Sequence, residues 1–314
     1  MKLNYTVKSI RIKSEWFEDL GRKKNVYQTI TYKGLNLYFQ LYKFRIHNQE
    51  NEHTFITSIS MLRKETGYSS AEVFDLLKKL RSSKVIKLEN VSRLDYLLDA
   101  EGNIKDKDVL MITSVDGLPL SDYAENDERY IYIPLDLFKQ YEEKGLNEKY
   151  YALYCLIKKW SNNKERKMWM SIEKMAACLG YDKDYVNKMI YQLNREYLMS
   201  SYRRNNNKGG FMFEHVILDN GKQDVMDKFI QAHKENMDKL IARVDKKKKS
   251  KKAVNIEDEM VLMEDIESIE GIKYSDEPVE PKLAFGTKTK RKRNGDIAKK
   301  EDLDYFEEIM MGLK

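Results

Sequence analysis

Lys183, Asp184, Asn187, Lys188, Tyr191, Gln192 and Arg195 recur at steps of one, three and four residues, which lines them along one side of a helix. The set is rich in cations, amides and a phenol. Arg and Lys pair with guanine O6 and N7, and Asn or Gln with adenine N6 and N7, so such a face carries sequence information as well as charge. The bland alternative is an ordinary solvated helix face. The stretch that follows weighs against it, because Arg203, Arg204 and Lys208 surround an Asn- and Gly-rich turn whose cations would grip phosphates.

The other reactive side chains form no catalytic arrangement. His47, His53, His215 and His233 are scattered, and no spacing among them and the two cysteines suggests zinc. Cys155 and Cys178 each fall inside an apolar helical pattern and read as buried thiols. The segment Phe285-Gly-Thr-Lys-Thr289 keeps only the end of a phosphate-binding loop, so an ATPase is unsupported. The 21 tyrosines read as core and groove residues, since nothing near them resembles a metal or an activating base. The expectation is a protein that is not an enzyme and needs no cofactor or metal.

Charge is unevenly spread over the 314 residues. Residues 1–93 carry 18 basic and 9 acidic side chains, residues 94–147 carry 5 and 13, and residues 148–244 carry 18 and 12. Two basic lobes therefore flank an acidic connector. No apolar run approaches the roughly 20 residues of a spanning helix, and the start, MKLNYTVKSIRIKSEWF, lacks a signal peptide's apolar stretch. The expected location is cytoplasmic, with no membrane partner.

The elements that would position these residues occur twice. Placing Gly67-Tyr68 on Gly180-Tyr181 also places Tyr38 on Tyr151, Ser58-Ile59 on Ser171-Ile172, Val73 on Val186, Leu80 on Leu193 and Val85 on Leu198, without a gap. Lys-Gly-Leu-Asn occurs at Lys33–Asn36 and at Lys144–Asn147, which puts a two-residue insertion just inside the first helix. Each copy predicts a helix, then a short helix capped by Ser58 or Ser171 and stopped by Gly67 or Gly180. A third helix follows, with Val73, Leu76, Leu77 and Leu80 or Val186, Met189, Ile190 and Leu193 on its buried stripe, and then a β-hairpin. The expected fold class is α+β and mainly helical: two tandem winged helix-turn-helix domains related by internal duplication, followed by a disordered charged C-terminal tail. Domain boundaries are expected at residues 1–120, 121–244 and 245–314.

The first copy offers a weaker DNA-binding set, Ser69, Ser70, Lys78, Lys79 and Arg81, because Glu72 and Asp75 share its face. Its wing is enlarged and acidic, with Asp95, Asp99, Glu101, Asp106 and Asp108, and is expected to point away from DNA. The first copy would then dimerise or touch phosphates while the second specifies the site. After the second hairpin, residues 221–244 predict an amphipathic helix that packs on that copy rather than zipping a dimer.

Tyr130–Phe138 followed by Gly145–Tyr154 resembles the lead-in and first helix of two-winged-helix replication initiators of plasmids and phages of Gram-positive bacteria. By architecture the resemblance covers residues 26–218, by motif about 130–218. It implies binding of double-stranded DNA at origin repeats and recruitment of a host helicase, helicase loader or primase. A winged-helix transcriptional regulator and a protein-binding adaptor remain alternatives, and a homodimer is compatible with any of them.

Beyond residue 244 come six lysines in Lys246–Lys252, seven acids and no bases in residues 256–270, and five bases in Lys288–Arg293. Such one-sign blocks repel themselves and are expected to stay disordered. Leu303, Phe306, Met310 and Leu313 recur at helical spacing in the last segment and are expected to bind a partner protein.

Overall fold

The computed structural model describes residues 9–46, 53–115, 130–134, 137–161, 167–205, 211–218 and 223–250, together with Val254 and Glu259. Every described residue falls within one compact unit. The fold class is α+β, with small sheets among many helices.

Two lead-in strands, β1 (Ser9–Lys13) and β5 (Tyr130–Pro134), pair with each other antiparallel, Ile10 opposite Ile133 and Ile12 opposite Ile131. Alternation buries these four isoleucines, and the Arg11 guanidinium lies 4.9 Å from the centre of the Tyr130 ring. The first half then runs α1 (Val26–Leu41), β2 (Thr54–Thr57), α2 (Ile59–Thr66), α3 (Ser70–Ser82), β3 (Ile86–Leu88) and β4 (Leu110–Ser114), with the strands ordered β2-β4-β3. In the second half α4 (Leu137–Glu143) and α5 (Lys149–Trp160) precede β6 (Met168–Trp169), α6 (Ile172–Leu179), α7 (Lys183–Arg195), β7 (Met199–Asn205) and β8 (Phe211–Ile217). The strand order there is β6-β8-β7. The same order of helix, strand, helix, glycine turn, helix and two strands thus recurs.

Local chemistry repeats with it. Ser58 Oγ accepts from the Met61 amide and Ser171 Oγ from the Lys174 amide, each satisfying an otherwise unpaired donor at a helix start. Gly67 (φ 71°) and Gly180 (φ 65°) end α2 and α6 in the left-handed conformation. The turn out of the third helix also repeats, with Lys84 at φ 57° and Tyr197 at φ 56°. The predicted apolar stripes of α3 and α7 are buried throughout. One hydrophobic core extends through both halves, and Cys155 and Cys178 lie in it as free thiols.

Two features depart from the sequence reading, and a third adds to it. The shared Lys-Gly-Leu-Asn does not sit in equivalent structure: Gly145, at φ 67°, separates α4 from α5, whereas Gly34 lies inside α1 and the break falls at Thr31 (φ 65°, ψ 177°). Gly34 serves close approach instead, since a Cβ there would come within 2.9 Å of Ile30 Cβ. The enlarged acidic loop of the first half is anchored to its own module by a short 3-10 helix, Leu94–Leu97, whose two leucines are buried, and by Arg63 donating to Asp106. Finally, the last helix, α8 (Gln223–Lys249), runs on through four of the lysines assigned to the tail. As expected, α8 packs on the second half, through Met237, Leu240 and Val244. Among the described residues no helix is long and apolar enough to cross a membrane.

The backbone at Thr31 is one that glycine adopts readily and a β-branched residue does not, at a cost of about 1–3 kcal/mol. Thr31→Gly is therefore expected to raise unfolding free energy by about 1 kcal/mol. Gly34→Ala is expected to lower it by about 1–3 kcal/mol through overpacking. Urea denaturation of the two variants checks both signs.

Candidate nucleic-acid interface

The turn before α7 is completed by the first half of the chain. The last carbonyls of a helix lack partners within it. Here Asn25 Nδ2 donates to the Cys178 carbonyl at 2.8 Å and Gln28 Nε2 to the Ala177 carbonyl at 2.7 Å, both in the last turn of α6. The same two side chains form the capping box that starts α1. Tyr27 and Tyr181 share a short hydroxyl–hydroxyl hydrogen bond, and burial pushes the Tyr27 phenol well above its usual pKa. Lys149 bridges the halves again, its ammonium 5.1 Å from the Tyr32 ring and 5.3 Å from the Tyr185 ring. Tyr68, at the position matching Tyr181, donates to Glu148 and accepts from Asn36. Each turn tyrosine thus makes one hydrogen bond across to the other half, Tyr181 to Tyr27 and Tyr68 to Glu148.

The outward side of α7 is divided. Lys188 and Arg195 are exposed and Gln192 is half-buried, its amide donating to Glu196. Lys183 is half-buried and ion-paired with Glu173 of α6. Asn187 and Tyr191 are only 5% and 4% exposed, which corrects the reading of both as surface groups. For Tyr191 the cause is α8. Its hydroxyl donates to Asp245 at 2.6 Å, and the Lys248 ammonium sits 3.8 Å from its ring centre. Burial, reinforced by Asp245, pushes the Tyr191 phenol up to about 12. Asn187 Oδ1 has no hydrogen-bond partner among the described residues.

In covering Tyr191, α8 brings Lys248 beside the open part of α7, with Lys246 and Lys249 exposed in the same helix turn. Burial lowers the pKa of Lys248, and the neighbouring Arg195 adds to the shift. The α8 lysines were not among the residues expected to line this face. The signal was available: the stripe of Met237, Leu240 and Val244 meets no Gly or Pro before Ser250, so nothing in the sequence stops the helix at residue 244.

The hairpin of β7 and β8 is fixed to α7 by a buried polar network. Asn194 Nδ2 donates to Ser201 Oγ and its Oδ1 accepts from the Ser201 amide, both at 2.9 Å, while Ser201 Oγ lies 2.9 Å from His215 Nδ1. A serine and histidine at that distance could form a nucleophile and base. Both are at most 1% exposed, so they fix strand register instead. Arg203, half-buried, and Arg204 follow in β7, opposite Phe213 and Met212. Lys208 lies outside the described residues.

In the first half, Lys78 and Lys79 are exposed on α3 and Ser70 begins that helix. Ser69 is occupied as its N-cap and Arg81 by the Ser92 carbonyl. Glu72 is held at about 2 by hydrogen bonds from Lys33 and Ser69, so its charge is locally matched, while Asp75 stays exposed. Leu303, Phe306, Met310 and Leu313 lie outside the described residues. No protein-family model matches the chain, and no curated protein matches it.

Burial lowers His215 and His233 from 6.5 to about 4. Between those values the unfolded chain binds protons that the folded one refuses, so stability is full above about pH 6.5 and is lost as pH falls toward 4. The loss is expected to reach about 3 kcal/mol for His215 at the acid end. Denaturation curves collected from pH 7.5 to 4.5 measure it.

Proposed function

We propose that the two halves are winged helix-turn-helix modules and that the chain is a sequence-specific DNA-binding protein that starts replication. In this reading it acts in the cytoplasm without covalent chemistry, binding origin repeats and gathering host helicase, helicase loader or primase. The observation that carries the DNA reading is the set of exposed cations on α7 and the last turn of α8, Lys188, Arg195, Lys246, Lys248 and Lys249, with Lys248 beside Arg195 and the β7–β8 hairpin immediately after α7. Helix-turn-helix proteins insert their second helix into the major groove, which requires a rigid turn and a cationic, hydrogen-bonding outer face. The Gly180 turn and its cross-half hydrogen bonds supply the first, and Lys188, Gln192 and Arg195 supply the second. The replication role is drawn from the likeness of residues 130–218 to plasmid and phage initiators.

With Asn187 and Tyr191 covered, base reading falls to Lys188, Gln192 and Arg195. Arg203, Arg204, Lys208 and the α8 lysines contact phosphate. On the first half, Lys78 and Lys79 remain as phosphate contacts.

Arg195→Ala is expected to cost about 1–3 kcal/mol on the preferred duplex and to relax discrimination at one base position. Lys249→Ala is expected to weaken all duplexes alike and to reduce the slope of log affinity against log salt by about 1. Fluorescence anisotropy with duplexes tiled from the DNA flanking the coding sequence tests both, and binding insensitive to salt would refute the reading. For the replication role, a plasmid carrying that flanking DNA should be maintained only in cells that supply the protein.

A further inference from the structure

Trp160, the last residue of α5, is 43% exposed, a large apolar surface to leave in water. Cations border it. The Lys159 ammonium lies 5.3 Å from its ring centre, and that of Lys174, on α6, lies 5.5 Å from it. Lys159 is half-buried and burial lowers its pKa, so an anion arriving beside it would restore the stabilisation that water no longer gives. More positive charge comes from the first half of the chain. Between Glu18 and Asn25 the backbone makes a tight turn, in which the Gly21 amide donates to Asp19 and the Lys23 amide to the Leu20 carbonyl. Asn25 Nδ2 closes the base of this turn, donating to the Glu18 carbonyl and to the Cys178 carbonyl in the last turn of α6. Arg22, Lys23 and Lys24, all exposed, are thereby held beside the end of α6. Asp19, Lys159 and Lys174 all act on the Cys178 thiol, which gathers the turn, the end of α5 and α6 around one residue. The cations outnumber Glu18 and Asp19, the acids of the turn.

We propose that Trp160, Lys159 and Lys174, with Arg22, Lys23 and Lys24 beside them, form a binding site for a single strand of DNA or RNA, in which an unpaired base stacks on the indole and the flanking phosphates take the cations. The site shares no residue with the open strip of α7 and does not rest on the DNA reading above. An exposed aromatic ring bordered by cations supplies both recurring parts of single-strand sites, a flat platform for a base and a positive track for the backbone. A duplex offers the phosphates but not the base, because its bases are already stacked on one another, so the indole selects the unpaired strand. An acidic peptide would satisfy the cations and leave the indole without a planar partner. Lysine ammonium groups ride on flexible stems, so Lys159 and Lys174 can turn from ring to phosphate without moving α5 or α6.

The test uses the full chain with oligothymidylate and oligouridylate of about 15 nucleotides, near the upper end of single-strand site sizes. Of the three tryptophans, Trp16 is buried and Trp169 is tied through its indole N–H to Glu214, so quenching of intrinsic fluorescence by bound bases should come from Trp160. Trp160→Ala should weaken strand binding about ten-fold, measured by anisotropy. Trp160→Phe keeps a ring, so it should bind nearly as well as the unaltered chain and yet lose the quenching. The combined variant R22Q, K23Q and K24Q should reduce the slope of log affinity against log salt by about 2. Affinity for a blunt-ended duplex should be unchanged in both Trp160 variants. No strand bound by the unaltered chain, or strand affinity indifferent to Trp160→Ala, overturns the site. An equal loss on strand and duplex overturns the stacking and leaves a general phosphate contact. Quenching by polyglutamate as strong as by either strand overturns the choice of ligand in favour of an acidic protein. Tighter binding of oligothymidylate assigns the site to unpaired DNA and of oligouridylate to RNA, and each supports it. If no chain binds duplex while the strand results hold, the DNA reading of α7 fails and the single-strand site stands.

Discussion

The end of α6 cannot finish itself. Its last carbonyls need donors, and those donors are Asn25 and Gln28 from the other half of the chain, the same side chains that start α1. Much else depends on this reciprocal closure. It sets the turn at Gly180, where a side chain would meet Gln28 at 3.2 Å, and so the angle at which α7 leaves. Tyr27 with Tyr181, Tyr68 with Glu148 and Asn36, and Lys149 between two rings extend the same seam. Polar contacts of this kind are directional, whereas a purely apolar seam would tolerate sliding. The two halves thereby hold α3 and α7 within one continuous core.

Along α7 the seam and α8 act from different sides. The first half braces the start of the helix, and α8 braces its last turns through Tyr191 and, one turn further, through Tyr197 donating to Asp238. What remains open is a narrow strip, Lys188, Gln192 and Arg195, bordered by Lys248 from a different helix. A narrow strip needs less side-chain ordering on binding than a broad one, because its neighbours are already packed. The cations on its border are shared between two elements, so the charge there depends on α8 staying docked.

The repeated signals were legible because they are local. A serine cap, a left-handed glycine and a three-four apolar rhythm each act over a few residues, and Ser58, Ser171, Gly67, Gly180 and the stripes of α3 and α7 appear where the pattern places them. Long-range packing was not legible. Asn187 and Tyr191 look like outer residues on a helical wheel, and only the arrival of α8 shows that Tyr191 faces a neighbour. Thr31 could not be foreseen either, since its residue type argues against the conformation it adopts and the glycine three positions later offers a more obvious break. The helical extent of the lysine run was misjudged for another reason: charge repulsion was weighed, but not the support the run gains by continuing an already packed helix.

The pairing of β1 with β5 also bears on how the chain is made. When β1 leaves the ribosome its partner is still more than a hundred residues from being synthesised. At typical elongation rates that interval is on the order of ten seconds, far longer than a helix needs to form. Throughout it, an edge bearing Ile10 and Ile12 stands open to any other nascent strand, so the first half must either wait in the care of a chaperone or tuck that edge away by temporary contacts of its own.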